Sequence, residues 1–343
     1  MAARPARPKR TTVSDIARRA GVSESAVSFA LNNRPGVSEQ TRARILAVAD
    51  ELSWRPNSAA RALSAARTGT VGLVFTRPAS TLGIEPFFLQ LLSGIQGVLS
   101  ERSTALLFQV VDGIDAEIAT YRRWASEQRV DGVLVVDLQV GDPRPAVLAA
   151  LRLPALLIGG PDPSHDLPAI WADDAGAMTS IVEYLAQLGH RRIVYVSGLR
   201  ELLHTQHRLR SFRNAVRRLR LTGSRSVATD YSGEAGADAT RKLLRSPDRP
   251  TAIVYDNDVM AVAAVAVAAE LGVAVPREVS MVAWDDSPLC RLTHPTLTAL
   301  VRDTAGFGAH AARRLLEIVD DGVMADIEDQ LPQLQPRGST GPA

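Results

Sequence analysis

From Thr70 onward, short apolar runs alternate with longer stretches whose apolar positions recur every three to four residues. The runs TVGLVF (70–75), TALLFQVV (104–111), DGVLVVD (131–137), PALLIG (154–159), RRIVYVSG (191–198), TAIVYDND (251–258) and SMVAWDD (280–286) are apolar almost throughout. Strands buried on both faces read this way, and such strands belong to parallel sheets covered by helices. Helical stretches at 86–102, 114–129, 174–188, 208–221 and 257–271 separate them. The alternation predicts βαβ units, and its length predicts two doubly wound parallel-sheet lobes. In open sheets of this kind ligands lie beyond the carboxyl ends of the strands. Asp137, the triplet Asp256-Asn257-Asp258 and the pair Asp285-Asp286 stand at such ends, either as ligands or as caps of the next helix.

The first sixty residues keep a different rhythm. Thr12 followed three residues later by Asp15 starts a helix in the manner of a capping box, and Val13, Ile16, Ala17 and Ala20 follow at helical spacing. Gly21 ends that helix through a left-handed turn, with Val22 folding back onto the core. Ser23 caps a second helix whose apolar side is Ala26, Val27, Ala30 and Leu31, leaving Glu24, Ser25, Ser28 and Phe29 outward. A third helix from Ser38 buries Ile45, Leu46, Ala49 and Leu52. Two short helices joined by a Gly turn predict a small all-α helix-turn-helix head, in which the outward face of the second helix enters the major groove.

Charge sharpens this division. Residues 1–64 carry eleven Arg or Lys against five Asp or Glu, whereas the remainder carries 28 against 32. A basic head on a mildly acidic body points to a polyanionic partner for the head. The longest apolar run, VMAVAAVAVAA at 259–269, is too short to span a bilayer of about 30 Å. The start, MAARPARPKRTT, has no apolar stretch after its charges, and Cys290 is the single cysteine. The expectation from both is a cytoplasmic chain, without a membrane partner or a disulfide framework.

The stretch from Thr12 to Ser64 resembles the DNA-binding head of the LacI/GalR family of transcriptional regulators. The AGVS turn, the VSxxLN second helix, the VSxxTRxRI third helix and the PNxxARxL hinge carry the resemblance. It implies that Thr12, Ser23, Ser28 and Asn32 touch phosphates while Glu24, Ser25 and Phe29 face bases. Phe29 departs from the Arg common at that position; a phenyl ring can meet a thymine methyl but cannot make the bidentate bonds that read guanine. The expected division is a basic, disordered arm at 1–11, the head at 12–56, and a hinge helix and linker at 57–68, capped by Asn57 and too short to be helical unaided. The resemblance implies that two hinges pair across a dimer, with Ala60 and Leu63 at the DNA and Leu63 wedged into the minor groove.

The resemblance continues to the C-terminus through LGHRRIVYVSG, HRLRSFRNAV, YDNDVMA, VSMVAWDDSPL and LTALVRD. It implies an effector-binding and dimerisation body at 69–343 of periplasmic-binding-protein type. Lobe 1 spans about 69–170 plus 304–327, and lobe 2 about 171–303 plus 328–343. Arg208 and Asp285 are its implied effector ligands, joined by Glu85, Phe87, Tyr231, Asn257 and Arg302. A guanidinium that only donates and a carboxylate that only accepts grip vicinal hydroxyls from both sides. Tyr231, Trp284 and Phe87 offer flat faces to a sugar ring, or pack as core.

No GxxxxGK[ST], GxSxG or HExxH occurs, and Cys290 with His294 is too small a set for a metal. Neither an enzyme, a cofactor nor a metal is expected. The expected protein is a repressor that binds double-stranded operator DNA as a homodimer under the control of a small-molecule effector, a saccharide. The body alone also fits a sugar receptor without a DNA role, which the basic head opposes.

Overall fold

In the first unit, α1 (Val13–Ala20), α2 (Glu24–Leu31) and α3 (Glu39–Glu51) close around Ile16, Val27 and Ile45, none of which reaches solvent. The computed structural model describes residues 11–31, 34–54, 67–77, 85–160, 167–322 and 325–343. The chain divides after Arg67 into two compact units. Most of the expected arm and hinge, with Asn57, Ala60 and Leu63, lies outside the described residues, as does Asn32.

Local chemistry explains the head. The Thr12 hydroxyl accepts from the Asp15 N–H at 3.3 Å, and the Asp15 carboxylate accepts from the Thr12 N–H at 3.0 Å. Gly21 adopts φ 65° and ψ 39°, a conformation open to glycine without steric cost, and ends α1. The Ser23 hydroxyl accepts from the Ala26 N–H at 3.2 Å and starts α2. Arg42 on α3 donates to the carbonyls of Ala30 at 3.1 Å and Arg34 at 2.8 Å, answering acceptors left open at the end of α2. One expectation needs correction. Leu46 is exposed, and the inner stripe of α3 is Ile45, Val48, Ala49 and Leu52.

Two six-stranded sheets build the second unit. The first contains β1 (Thr70–Phe75), β2 (Ala105–Val110), β3 (Gly132–Val135), β4 (Ala155–Ile158), β5 (Ala169–Ala172) and β11 (Ile327–Asp329), in the order β11-β5-β4-β3-β1-β2. The second contains β6 (Ile193–Ser197), β7 (Arg225–Ala228), β8 (Ala252–Tyr255), β9 (Ser280–Ala283), β10 (Thr298–Val301) and β12 (Gln333–Gln335), in the order β12-β10-β9-β8-β6-β7. Their pairings are parallel except for β12 against β10. Helices α4 (Pro86–Glu101), α5 (Ile114–Ser126), α6 (Arg144–Leu151) and α12 (Thr304–Asp321) accompany the first sheet; α7 (Asp174–Gln187), α8 (Leu203–Arg218), α9 (Gly233–Arg245), α10 (Asp258–Glu270) and α11 (Pro288–Leu292) belong to the second lobe. Leu73, Leu134 and Leu156 pack with α4 and α12, while Val74, Val133 and Leu157 pack with Tyr121, Trp124 and Leu148 on the other face. Burial on both faces is why these strands are apolar without alternation.

The lobes exchange chain slightly later than the expected boundaries. Trp171 and Ala172 still pair in the first sheet, and so do Glu328 and Asp329. Helix α8 begins at Leu203, five residues before the expected start, and the added turn carries His204.

Helices α4 and α12 meet backbone to backbone. A Cβ on Gly94 would lie 1.8 Å from the Ala305 carbonyl oxygen, and one on Gly308 would lie 2.2 Å from that of Leu91. This approach sets Phe307 beside Phe88 and Leu91 at the mouth of the interlobe cleft. Because the obstructing atoms are backbone, Gly308→Ala is expected to cost about 1–3 kcal/mol, the usual range for overpacking. Its urea unfolding midpoint, followed by circular dichroism, should fall clearly below that of the wild type.

Candidate nucleic-acid face and effector cleft

The second helix of the head buries Val27 and Ala30 and turns Glu24, Ser25, Ser28 and Phe29 outward, with Ser23 and Thr12 also exposed. These are the described members of the expected DNA set, and they lie on the outer surface of the head. The Ser23 and Ser25 hydroxyls are 2.9 Å apart. Thr12 is committed more deeply than expected, since its hydroxyl proton is directed to Asp15 at 2.7 Å. A phosphate contact from Thr12 requires that proton to turn away from Asp15. Phe29 is 38% exposed, its ring leaning on Gly36, where a Cβ would come within 3.2 Å of it. The ring offers an apolar contact on that face, the chemistry that suits a thymine methyl.

Between the carboxyl ends of the two sheets lies a cleft of about 90 Å³. On the first-lobe side Arg77 donates from Nε and Nη2 to the two Asp137 oxygens at 2.6 and 2.9 Å, and from Nη1 to Glu85 at 3.2 Å. On the second-lobe side Arg208 donates to Asp174 and Asp256, both at 2.8 Å, with its guanidinium 3.9 Å from the centre of the Trp284 ring. Asp256 also accepts from Tyr195 at 2.6 Å, from the Gly198 N–H at 2.9 Å and from Tyr231 at 2.9 Å. Arg302 stands 4.5 Å over the Phe87 ring, and its Nη2 is 2.8 Å from Asp285 Oδ1 without hydrogen-bond alignment. Asp285 Oδ1 and Arg302 Nε are thereby buried without a hydrogen-bond partner among the described residues. Buried polar atoms in that condition are rare in native proteins and mark a place for a ligand or water.

Burial and charge tune these groups against one another. Burial opposes ionisation of Asp137 and Asp256, but Arg77 and Arg208 respectively hold them below the usual carboxylate range. Glu85 shares Arg77 with Asp137, and burial pushes it up to about 7. Burial, reinforced by the Arg208 charge, pushes His204 down to about 4, so its ring is neutral.

Glu85, Phe87, Arg208, Tyr231, Asp285 and Arg302 all line the cleft. Arg208 and Asp285 belong to separate arginine–carboxylate pairs within the cleft wall. One expectation is corrected. Asn257 stands at the seam between the lobes, not in the cleft wall. Its Oδ1 caps α10 by accepting from Met260 at 2.9 Å, and its Nδ2 donates to Glu85 and to the Tyr231 carbonyl. Of the other strand-end carboxylates, Asp286 is held by Arg337 at 2.6 and 2.7 Å, away from the cleft. Arg77, Asp174 and His204 went unread in the sequence. The strand-end rule applied to β1 finds Arg77, two residues beyond it; His204 stands four before Arg208, one turn away on the same helical face.

Comparison with known proteins agrees with both halves. Residues 12–57 match the bacterial regulatory proteins of the lacI family, and residues 182–340 match the periplasmic binding protein-like domain. The HTH-type transcriptional regulator CelR of Thermobifida fusca is 31% identical over 319 residues, 91% of this chain and 92% of that protein. Among solved structures, the lac repressor dimer bound to operator and the anti-inducer ONPF is 26% identical, with a TM-score of 0.86 over 97% of this chain and 100% of its own. A CelR–cellobiose complex is 27% identical, with a TM-score of 0.72 over 96% and 100%. The chain belongs to the lacI family. It is a DNA-binding regulator of transcription with a helix-turn-helix head and a two-lobed effector domain, and not an enzyme.

Glu85 gives the cleft a pH signature. Its carboxyl releases a proton near 4.5 in the unfolded chain and near 7 in the folded one. Between those values the folded state holds the extra proton, so stability falls as pH rises through this window. Glu85→Gln should abolish that fall, at most about 3 kcal/mol. Comparing urea midpoints of both proteins at pH 4.5 and pH 8 measures it.

Proposed function

We propose that this regulator is a cytoplasmic repressor that binds its operator as a homodimer, with a neutral saccharide in the cleft setting its DNA affinity. The cleft wall carries the reading. Asp285 Oδ1 and Arg302 Nε, an acceptor and a donor within one ion pair, have no hydrogen-bond partner among the described residues and lie next to the Phe87 ring. That combination suits a hydroxyl pair on a ring with an apolar face. Five carboxylates line the cleft against three arginines, and His204 is neutral. The negative balance opposes phosphorylated or acidic ligands and favours an uncharged polyol.

At about 90 Å³ the cleft is well below the ~300–1,000 Å³ of ordinary ligand pockets, so a sugar ring enters only as the lobes part. Ligand occupancy is thereby tied to lobe spacing, which is what a differential affinity for two states requires. Dimerisation follows from the head, since eight residues of α2 offer one half-site and a two-fold pair offers two. The second unit also exposes Leu89, Phe108 and Leu292, apolar surface that a second copy would cover. The hinge retains its proposed part, with Leu63 wedging the minor groove of operator DNA. No helix among the described residues is long and apolar enough to cross a membrane.

Two measurements test this reading: thermal shift against a panel of mono- and disaccharides, and anisotropy titration of operator DNA with and without each hit. Asp285→Asn and Arg208→Ala should each lower sugar affinity at least about tenfold, since each leaves a charged partner unpaired. Operator affinity should stay near wild type in both. Leu63→Ala should do the reverse, losing operator affinity and keeping sugar affinity. A panel that shifts neither melting nor DNA binding would overturn the saccharide assignment.

A further inference from the structure

The Tyr231 hydroxyl lies 2.9 Å from each of three groups, Asp256 Oδ2, His204 Nε2 and Thr205 Oγ1. A phenol has one proton and two lone pairs. Asp256 is ionised and only accepts, so the phenol proton goes there. Both lone pairs are then left for His204 and Thr205, which must donate. His204 therefore carries its proton on Nε2, and Nδ1 is a bare lone pair that no hydrogen bond from the described residues reaches. His204 lines the cleft one turn before Arg208 on α8.

The groups facing the ring are Asp137 and Asp256, which attract a second proton, and Arg77 and Arg208, which repel it, with Tyr231 between. Each carboxylate is already paired with its own arginine, so neither captures the imidazole as a cation. The ring remains an uncharged acceptor in a wall whose arginines only donate and whose carboxylate Asp256 is already engaged by four donors.

We infer that His204 Nδ1 selects the effector by accepting a hydrogen bond from one of its hydroxyls, the tautomer being locked by Asp256 through Tyr231. This rests on the reading of the cleft as a saccharide site. Gly198 is part of the lock: a Cβ there would lie 1.9 Å from the Tyr231 ring, so only glycine lets the phenol reach Asp256. An effector hydroxyl replaced by hydrogen leaves Nδ1 unanswered, whereas a charged amine or phosphate gains nothing there that Asp285 or Arg302 does not supply better.

The test has a ligand-free arm and a ligand arm. In the free protein labelled with nitrogen-15 histidine, His204 should show a protonated Nε2 and an unprotonated Nδ1, unchanged from pH 8 to pH 5.5. Tyr231→Phe should release the ring into a mixture of tautomers. In the ligand arm, the saccharide found by thermal shift is compared with its monodeoxy analogues. One analogue should bind at least about tenfold more weakly than the parent to the wild type. That penalty should vanish in His204→Phe and persist in His204→Asn, whose amide oxygen lies near the Nδ1 position. A ring protonated on Nδ1, a ring titrating within that pH range, or a deoxy penalty equal in wild type and His204→Phe would each overturn the inference. Sugar binding with an uncoupled His204 removes this role alone; a panel in which no saccharide binds removes the cleft reading and this role with it.

Discussion

Arg208 is a cation taken out of water at the end of a sheet, and its need for compensation arranges much of the second-lobe wall. Asp174 from the start of α7 and Asp256 from the end of β8 both meet it, and Trp284 supplies a ring beneath it. Asp256, buried in turn, is satisfied by Tyr195, Tyr231 and the Gly198 N–H. Tyr231 reaches it from a backbone at φ 72°, a region few non-glycine residues occupy. Breaking a buried ion pair by removing one partner typically costs ~3–5 kcal/mol, yet replacing the whole set with apolar residues is often neutral or stabilising. Stability therefore gives little reason to keep such a network in place. A preorganised array of donors and acceptors beside a cleft does.

The first lobe repeats the arrangement with different parts. Arg77 is gripped by Asp137 and Glu85, and it lies 4.7 Å from the centre of the Tyr231 ring across the cleft. Asp137 is itself held from behind. Arg144, almost wholly buried, donates to the carbonyls of Val136 and Asp137 at 3.0 and 2.9 Å while Glu117 and Asp142 neutralise it. The segment so fixed is the one that touches the other lobe, where the Leu203 N–H meets the Leu138 carbonyl at 2.7 Å and the Val140 N–H meets that of Glu201 at 3.0 Å.

The parts legible in the sequence share a physical origin. Strands buried on both faces cannot hide their composition, and so β1, β3, β4, β6, β8 and β9 stood out as apolar runs. Edge elements are less faithful. Strand β2 is apolar enough to read as a doubly buried strand although Phe108 and Val110 are exposed. IED in β11 and QLQ in β12 are too short and polar to stand out, and RSVA of β7 reads as loop. In the head, the Thr12–Asp15 box and Gly21 are local devices and were readable, whereas the choice of Val48 over Leu46 for the inner stripe depends on how α3 is rotated against its neighbours. Strand ends located the site-bearing carboxylates, but partner choice is a three-dimensional matter. Arg208 and Asp285, which the family resemblance implies as ligands, are each held by a partner that the sequence does not place beside them: Asp174, from another helix, and Arg302, from a crossing segment. Asn257 is a ligand only by the family resemblance; its position after a strand leaves ligand and helix cap equally open, and the structure shows it as a cap.

The placement of Arg302 gives the cleft its leverage. It lies in the two-residue link between β10 of the second lobe and α12, whose Phe307 packs with Phe88 and Leu91 of the first. A hydroxyl that engages Arg302 Nε and Asp285 Oδ1 therefore pulls on a segment where the chain crosses between lobes. On the opposite rim Asn257 holds Glu85, a residue of the first lobe, from the cap of a second-lobe helix. On the proposed reading, ligand contacts on one rim and a direct interlobe bond on the other would make lobe spacing the variable to which the cleft responds. Because the linkage between two sites is reciprocal, whatever spacing the ligand favours is the spacing whose DNA affinity it imposes.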